Sequence, residues 1–335
     1  MNKTKVLKQI RTDKKAIPIL FFPTSQLMNV SVLDLVTNPL VQSLALQTIA
    51  QQFDVGALIG VMDLSVEAEA FGSAIKFTQN DFPNVTNRIA TTMEEVNGLE
   101  VPKIGAKRTK VFLEAFKETS NHIKNKPLMA GVIGPFSLAG RLMGMTEIMM
   151  NCYDEPEMVH LLLEKTSTFI LNYIRAFKEA GANGVLMAEP AAGLLSPTLC
   201  HEFSTNYVKT ICQQVKDHDF IFIYHNCGNV FPLLGSILTI DADAYHFGEA
   251  TNLKQVLENM PQDKLVLGNI SPSQQFLKGT PKSIYDDTTK LLYNCRHFDQ
   301  FILSSGCDIP PLAPINNIQS FFQALQDFKN KVDGK

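Results

Sequence analysis

The sequence predicts an α/β protein built as a (β/α)8 barrel, with an N-terminal extension and a long helical excursion after the second strand. Two observations predict this fold: short, continuously apolar runs typical of strands buried on both faces, and longer amphipathic segments between many of them. The chain has 335 residues, which is an ordinary length for one such barrel. The strands are predicted at residues 17–22, 55–62, 128–133, 183–188, 220–225, 243–247, 264–269 and 301–305.

The segments between these strands favour one barrel over an open sheet. Residues 156–182 are amphipathic at helical spacing and reach Gly181 near their end, as a helix terminus would. The alternative, an open doubly wound sheet, is disfavoured because no glycine-rich phosphate loop follows the first strand. Residues 64–127 are long for one crossover, which predicts the excursion. Because no repeat or low-complexity linker divides the chain, we predict a single domain over residues 1–335.

Composition excludes several classes of protein. Apolar residues make up 45% of the chain and charged residues 19%, which predicts a sizeable core. The net charge is −3 and no basic stripe is present, so neither nucleic acid nor an anionic membrane surface is an expected partner. The N-terminal segment lacks the apolar core of a secretory signal, and no apolar run is long enough to cross a bilayer. We therefore expect a cytoplasmic protein.

The six cysteines fall into two groups. Their wide spacing in a large chain is not that of a disulfide scaffold. Cys227 and Cys307 follow predicted strands and need a separate explanation. The other four lie on helix-like stretches and are interpreted as packing residues: Cys152, Cys200, Cys212 and Cys295.

Polar residues that could take part in catalysis or ligand binding lie at the C-terminal ends of the predicted strands or directly after them. In a (β/α)8 barrel the catalytic residues lie at the C-terminal ends of the strands, so these side chains are expected on one rim. Among them, Asp63 and Glu189 are the candidate catalytic carboxylates, whereas Glu67 and Glu69 are interpreted as solvated helix residues. The rim residues are Asp63, Glu189, His225, Cys227, Glu249, Asn269 and Cys307.

A zinc site is predicted from three of these residues. His225 and Cys227 form a His-x-Cys pair, and Cys307 follows about eighty residues later. Zinc favours mixed imidazole and thiolate ligands, and three protein ligands leave one exchangeable position, as in catalytic sites. The alternative is a hydrogen-bonded core histidine with two small buried thiols. Placement of all three after predicted strands favours the metal site.

With these residues identified, the sequence resembles the uroporphyrinogen decarboxylase superfamily, and within it the branch of the methylcobamide:coenzyme M methyltransferases. The matching segments occur in family order and span nearly the whole chain. They are "DLSVEAEAFG" (63–72), "GPFSLAGRLMG" (134–144), "AEPAAGLLSP" (188–197), "HNCGN" (225–229), "LGNISP" (267–272), "GTP" (279–281) and "SSGCDIPPLAPINNI" (304–318).

The resemblance implies a zinc enzyme that moves a methyl group from a methylated corrinoid, such as methylcobalamin, to a small thiol such as coenzyme M. A separate corrinoid protein is the implied partner. The pattern "HNC…SGC" matches the zinc ligands of that branch at His225, Cys227 and Cys307. Glu249 is expected to fill the fourth zinc position until substrate displaces it, with Glu189 as the competing choice.

The same resemblance implies roles for Asp63 and Asn269 in orienting the substrate or the corrinoid. This chain also departs from the pattern of that superfamily at two places. The decarboxylases carry an arginine-rich segment after the first strand, whereas residues 18–36 contain no arginine, leaving Arg88 and Arg141 as candidate cations. Relatives often have an aspartate before the position of Glu249, where this chain has glycine. Two alternatives remain: a uroporphyrinogen decarboxylase, which needs no metal, and a non-catalytic corrinoid- or metal-binding protein.

Overall fold

The computed structural model describes residues 2–332, so residue 1 and residues 333–335 of the predicted domain lie outside the described part. The strands are β1 (Leu58–Ile59), β2 (Ile75–Lys76), β3 (Asn84–Val85), β4 (Leu128–Ile133), β5 (Gly184–Ala188), β6 (Ile221–Asn226), β7 (Ala244–Phe247), β8 (Leu265–Ile270) and β9 (Phe301–Ser305). Seven of them form one parallel sheet in the order β1-β4-β5-β6-β7-β8-β9, and β2 pairs antiparallel with β3. The parallel sheet confirms the predicted α/β class. The extent of the single domain stays a prediction.

Helices separate the consecutive strands of the parallel sheet, and further helices precede β1 and follow β9. They are α1 (Lys3–Asp13), α2 (Thr24–Met28), α3 (Val32–Thr37), α4 (Pro39–Gln52), α5 (Val66–Ala70), α6 (Met93–Gly98), α7 (Thr109–His122), α8 (Pro135–Met143), α9 (Met145–Asp154), α10 (Pro156–Glu179), α11 (Pro197–Cys200), α12 (Asn206–Val215), α13 (Leu234–Ile237), α14 (Leu253–Leu257), α15 (Pro281–Cys295) and α16 (Ile315–Val332). Within residues 2–332, no helix combines the length and the apolar character needed to span a bilayer.

The core has two layers that follow the alternation of side chains along the strands. In β6, Ile221 and Ile223 belong to an inner cluster, whereas Phe222 and Tyr224 belong to the outer cluster. Successive side chains of a strand point to opposite faces, so the two layers lie on the two faces of one sheet. Val6 of α1 joins the inner layer. The N-terminal helix therefore packs against the interior of the curled sheet.

The excursion over residues 64–127 is only partly helical. It contains α5, α6 and α7, together with the antiparallel ribbon of β2 and β3. Helix α6 begins at a capping box, in which the Thr92 hydroxyl accepts from Glu95 N–H and the Glu95 carboxylate accepts from Thr92 N–H. Strand β1 that precedes this excursion is much shorter than the predicted run of 55–62.

The strand predicted at residues 17–22 is wrong as a regular strand. The segment is buried, but it carries only isolated backbone hydrogen bonds to its two neighbours. Ile17 N–H donates to Leu303 O of β9 at 2.9 Å, and Gly56 N–H donates to Ala16 O at 2.9 Å. The segment therefore links the last strand of the sheet to the stretch that precedes the first, and the sheet itself has seven strands.

A side chain replaces the missing ladder bond. Ile19 N–H donates to Ser305 Oγ at 3.0 Å, and Ile19 O accepts from Ile309 N–H at 3.0 Å. The backbone groups of the segment are thus satisfied without the repeating pattern of a strand. Apolar character predicted the burial of residues 17–22, and could not predict that serine side chains would pair with their backbone.

We predict that Ser305→Ala lowers the free energy of unfolding by about 1–3 kcal/mol, because Ile19 N–H would be buried without an acceptor. Urea denaturation measures this change. Thr198→Ala, which removes an exposed hydroxyl, is the control and should change the value by less than about 0.5 kcal/mol. Equal stability of the two variants would contradict the role of this bond in joining the segment to β9.

Candidate metal centre

Three predicted ligands meet at the C-terminal ends of β6 and β9. His225 lies in β6, Cys227 follows that strand directly, and Cys307 follows β9 after one glycine. One ligand atom from each lies within 4.8 Å of the other two, and Cys307 Sγ is 3.5 Å from His225 Nε2. A single ion between them could contact all three atoms. The chain thus brings together residues that are 82 positions apart.

The local fold of β6 aims the first two ligands in one direction. Residues two apart on an extended chain point to the same side, so His225 and Cys227 face the interior together. Asn226 between them is fully buried and points away: its Nδ2 donates to Glu189 O at 2.8 Å, and its Oδ1 accepts from Gly228 N–H at 2.8 Å. Asn226 therefore fixes the turn that presents Cys227.

Close packing explains a glycine that departs from the expected pattern. A Cβ atom on Gly248 would lie 2.6 Å from Cys227 Cα, and one on Gly306 would lie 2.7 Å from Glu249 Oε2. Any side chain at Gly248 would displace the backbone that carries the first thiol. An aspartate there is incompatible with this position of Cys227.

A hydrogen bond between the two thiols of the site moves their pKa values apart. The pKa of Cys227 is lowered to about 4, chiefly because the Cys307 thiol donates a hydrogen bond to it, with a smaller effect of His225. The pKa of Cys307 is raised well above its usual value by that same contact and by burial. One thiolate is therefore present at neutral pH, and thiolates are the form of cysteine that binds metals.

A second histidine supports the first. His225 Nδ1 is 2.7 Å from His246 Nδ1, and His246 Nε2 is 2.8 Å from Ser304 Oγ. Burial, and then the neighbouring His225, hold the pKa of His246 well below its usual value. Sequence reasoning missed this contact, because only the register of β6 and β7, which pairs His225 with His246, reveals it.

The structure places Glu249 beside the three ligands but not among them. Glu249 is exposed, its Oε1 accepts from Ser271 Oγ at 3.1 Å, and its carboxylate lies outside the group of three. Asn269, the predicted cofactor-binding residue, donates from Nδ2 to Gly248 O at 2.9 Å and to Thr251 O at 2.8 Å. Asn269 thereby anchors the loop that carries Glu249.

Glu189 faces a helix rather than the ligand group. Its Oε1 accepts from Phe136 N–H at 2.8 Å and its Oε2 from Ser137 N–H at 3.0 Å, so the carboxylate caps the N-terminus of α8. Ser204 Oγ donates to Oε1 as well, at 3.1 Å. The carboxylate is fully buried, and burial raises its pKa to about 7.

Asp63 belongs to a buried ion cluster. It forms an ion pair with Arg108 and accepts from Ser65 Oγ at 2.6 Å, while Arg108 Nε also donates to Glu69 Oε2 at 2.6 Å. The interpretation of Glu69 as a solvated residue is therefore wrong. Its partner Arg108 lies 39 residues further along the chain. The helical periodicity of a short segment cannot predict a contact at that sequence separation.

Glu67 is buried as well, at 2% exposure, which corrects its interpretation as a solvated residue. Its Oε1 accepts from Ile133 N–H at 3.1 Å, and its Oε2 has no hydrogen-bond partner among the described residues. Burial raises its pKa to about 7, assisted by the charge of Asp63 and opposed by that of Arg141.

Asp308, which sequence reasoning also missed, has both carboxylate oxygens buried and unpartnered within residues 2–332.

A cavity of about 600 Å³ opens beside Cys227. Two arginines line it, and Arg88 is already paired with Glu147. Arg141 has no hydrogen bond or ion pair among the described residues, and burial lowers its pKa despite the charges of Asp63 and Glu67. The cavity therefore offers a substrate one thiol-lined end and one unpaired cation.

We predict that Glu67→Gln gains stability relative to the wild type as pH rises from about 5 to about 8. The folded-state pKa of Glu67, about 7, lies above its usual value of about 4.5. The wild type therefore loses stability between these two pH values, where the carboxyl is ionised in the unfolded chain and protonated in the folded one, and the loss is complete above about pH 7. The variant has no such loss. The difference in free energy of unfolding between the variant and the wild type should therefore change by at most about 1.4 kcal/mol per pH unit. Urea denaturation in the presence of a chelator measures it. A pH-independent gap would contradict the raised pKa.

Comparison with known proteins gives one family. The family model described as uroporphyrinogen decarboxylase (URO-D) matches residues 5–328. The methylcobamide:CoM methyltransferase MtbA of Methanosarcina acetivorans is 27% identical over 271 residues, covering 80% of this chain and 78% of the relative. The uroporphyrinogen decarboxylase of Coxiella burnetii is 25% identical over 297 residues, covering 84% and 80%.

Among solved structures, a methyltransferase from Methanosarcina mazei superposes with a TM-score of 0.87 at 22% identity and covers 98% of each chain. At that identity the match supports the fold alone. Since the family model covers nearly the whole sequence, this chain belongs to the uroporphyrinogen decarboxylase (URO-D) family.

Proposed function

We propose that this enzyme is a zinc-dependent methyltransferase that moves a methyl group from a methylated corrinoid, carried by a separate protein, to a small thiol such as coenzyme M. The observation that carries the proposal is the meeting of His225, Cys227 and Cys307 on one rim of the sheet. Relatives whose names give methylcobamide:CoM methyltransferase activity support the corrinoid and the thiol.

The donor set fits zinc. An imidazole and two thiols, one of them ionised at neutral pH, are ligands that zinc prefers, and three protein ligands leave a position for substrate. When bound, zinc lowers the pKa of a coordinated thiol, so that the thiol is a thiolate near neutral pH. Glu249, held by Ser271 beside Gly306, is the nearby carboxylate proposed for the fourth position.

The proposed reaction is a displacement at the methyl carbon. The substrate sulfur forms a bond to that carbon as the cobalt–carbon bond breaks, and the electron pair of the broken bond stays on the corrinoid as cobalt(I). The products are a methyl thioether and the reduced corrinoid. The residues of this chain hold the sulfur and leave the rim accessible to a corrinoid protein.

The cavity beside Cys227 supports a thiol that carries an acidic group. A coenzyme M molecule bound by its sulfur near the three ligands would extend its sulfonate into this space. Arg141, which lines the cavity and has no ion-pair partner within residues 2–332, is proposed as the partner of that sulfonate. Arg88 is a weaker candidate because Glu147 already neutralises it.

The decarboxylase alternative lacks the cations it needs. A tetrapyrrole with several carboxylates requires several cationic partners, and residues 18–36 provide no arginine. The cavity wall adds only Arg141 and the already paired Arg88. The metal-ligand group also has no use in a decarboxylation that requires no metal. These observations favour the methyltransferase.

The remaining predicted roles are kept as proposals. Glu189 and Asp63 were predicted as catalytic and Asn269 as cofactor-binding, but their described polar contacts are with the chain itself. All three then act on the reaction through the loops and helices they hold. For Asp63 or Asn269 to contact substrate or corrinoid directly, its hydrogen bonds to this chain would have to break or to accept the ligand as a second partner.

We predict about one zinc per wild-type chain and its loss in Cys307→Ala, because only two of the three ligands would remain. Elemental analysis of protein purified without chelator measures the metal. Cys295→Ala is the matched control, since Cys295 is a buried thiol of α15 outside the group, and it should retain zinc.

The same preparations test the reaction. Wild type and Cys295→Ala should demethylate free methylcobalamin when a thiol is added, and Cys307→Ala should not. A metal-free wild type that binds no added zinc would refute the zinc-dependent mechanism. Zinc binding without any thiol-dependent demethylation would instead support a metal-binding protein.

We predict that Arg141→Gln raises KM for coenzyme M about ten- to hundredfold, because a charged hydrogen bond to the sulfonate is lost. Mercaptoethanol lacks that charge, so its KM should not change. The assay is the demethylation of methylcobalamin with each thiol. Arg88→Gln is the matched control and should alter the KM for coenzyme M much less. Equal effects of Arg141→Gln on both thiols would contradict the proposed contact.

A further inference from the structure

A continuous hydrogen-bonded chain runs from the backbone of the N-terminal segment to the metal-ligand group. Ser304 Oγ donates to Ile17 O at 2.7 Å and is 2.8 Å from His246 Nε2. His246 Nδ1 is in turn 2.7 Å from Nδ1 of His225, whose Nε2 faces Cys307 Sγ. Ser304, His246 and His225 are each at most 1% exposed, so water does not compete for these bonds.

The single proton of Ser304 sets the direction of this chain. A hydroxyl has one hydrogen to donate, and Ile17 O is a carbonyl, which can only accept. Ile17 is buried, and the described residues offer its carbonyl no other donor. Ser304 therefore gives its proton to Ile17 and accepts from His246, which places a proton on His246 Nε2.

The two histidines then have defined tautomers. A neutral imidazole protonated at Nε2 is an acceptor at Nδ1, so His246 Nδ1 accepts from His225 Nδ1–H. A second contact gives the same result independently: His225 Nδ1 is 3.2 Å from the carbonyl oxygen of His246, which can accept but not donate. The lone pair of His225 is consequently at Nε2, the atom that faces Cys307.

We propose that Ser304 and His246 are positioning residues that hold His225 in its metal-binding tautomer before any metal arrives. The reverse direction, with Ser304 donating to His246, would put a proton on His225 Nε2 and deprive Ile17 O of its donor. The benefit to metal binding rests on the proposed zinc function. The tautomers themselves are properties of the metal-free chain and can be measured without zinc.

The test is nitrogen NMR of metal-free protein with ¹⁵N-labelled histidine at about pH 8, with signals assigned by their loss in His225→Gln and His246→Gln. The wild type should show His225 protonated at Nδ1 and His246 protonated at Nε2. In Ser304→Ala, His246 should lose its fixed tautomer, whereas Ser304→Thr, which keeps the hydroxyl, should retain it.

Ser305→Ala is the matched control, because it removes only the Ser305 hydroxyl, which bonds Ile19 N–H, and leaves the Ser305 backbone beside His246 in place. We expect Ser304→Ala to weaken zinc binding about ten- to hundredfold in a chelator competition, and Ser305→Ala to leave zinc affinity and both tautomers unchanged. Equal zinc affinity in the two variants, or a wild-type His246 protonated at Nδ1, would overturn the proposal. A wild type with the expected tautomers that binds no zinc would overturn the zinc function and leave the tautomer assignment standing.

Discussion

The curvature of the parallel sheet is the constraint on which the metal-ligand group depends. His225 lies in β6 and Cys307 follows β9, with β7 and β8 between them. Three steps between neighbouring strands span about 14 Å in a flat sheet, yet Cys307 Sγ is 3.5 Å from His225 Nε2. Only a sheet that curls around its inner layer brings the ends of these strands together. The covered outer face and the apolar inner layer stabilise that curl, so the fold and the site have the same physical origin.

The irregular segment before α2 connects this curvature to the chemistry. Ile17 bonds β9 through its N–H and receives the Ser304 hydroxyl at its carbonyl. In a regular ladder that carbonyl would accept from a neighbouring backbone N–H, and the Ser304 proton would be free to turn toward His246. The departure from strand geometry is therefore useful at the site. Local rules of sequence and structure are often broken where function requires it.

Much of the fold could be predicted, because buried parallel strands are continuously apolar. The bounds predicted at 128–133 and 301–305 are those of β4 and β9. The meeting of the three proposed ligands could be predicted since they lie at the C-terminal ends of such strands. Contacts set by remote partners could not: the burial of Glu67, the pairing of Glu69 with Arg108 and the register that places His246 on His225 depend on tertiary structure. The same holds for Glu189. Its position at the end of a strand predicted a side chain on the rim, but in the structure its carboxylate bonds the N-terminus of α8.

The central claim is that one metal ion is held by two thiolates and one imidazole and keeps a position for a thiol. X-ray absorption at the zinc edge of the loaded protein tests it most directly. The account predicts two sulfur neighbours at about 2.3 Å with nitrogen or oxygen completing four ligands, and a third sulfur after coenzyme M is added. A shell of nitrogen and oxygen alone, or a sulfur count that does not change with the thiol, would contradict it.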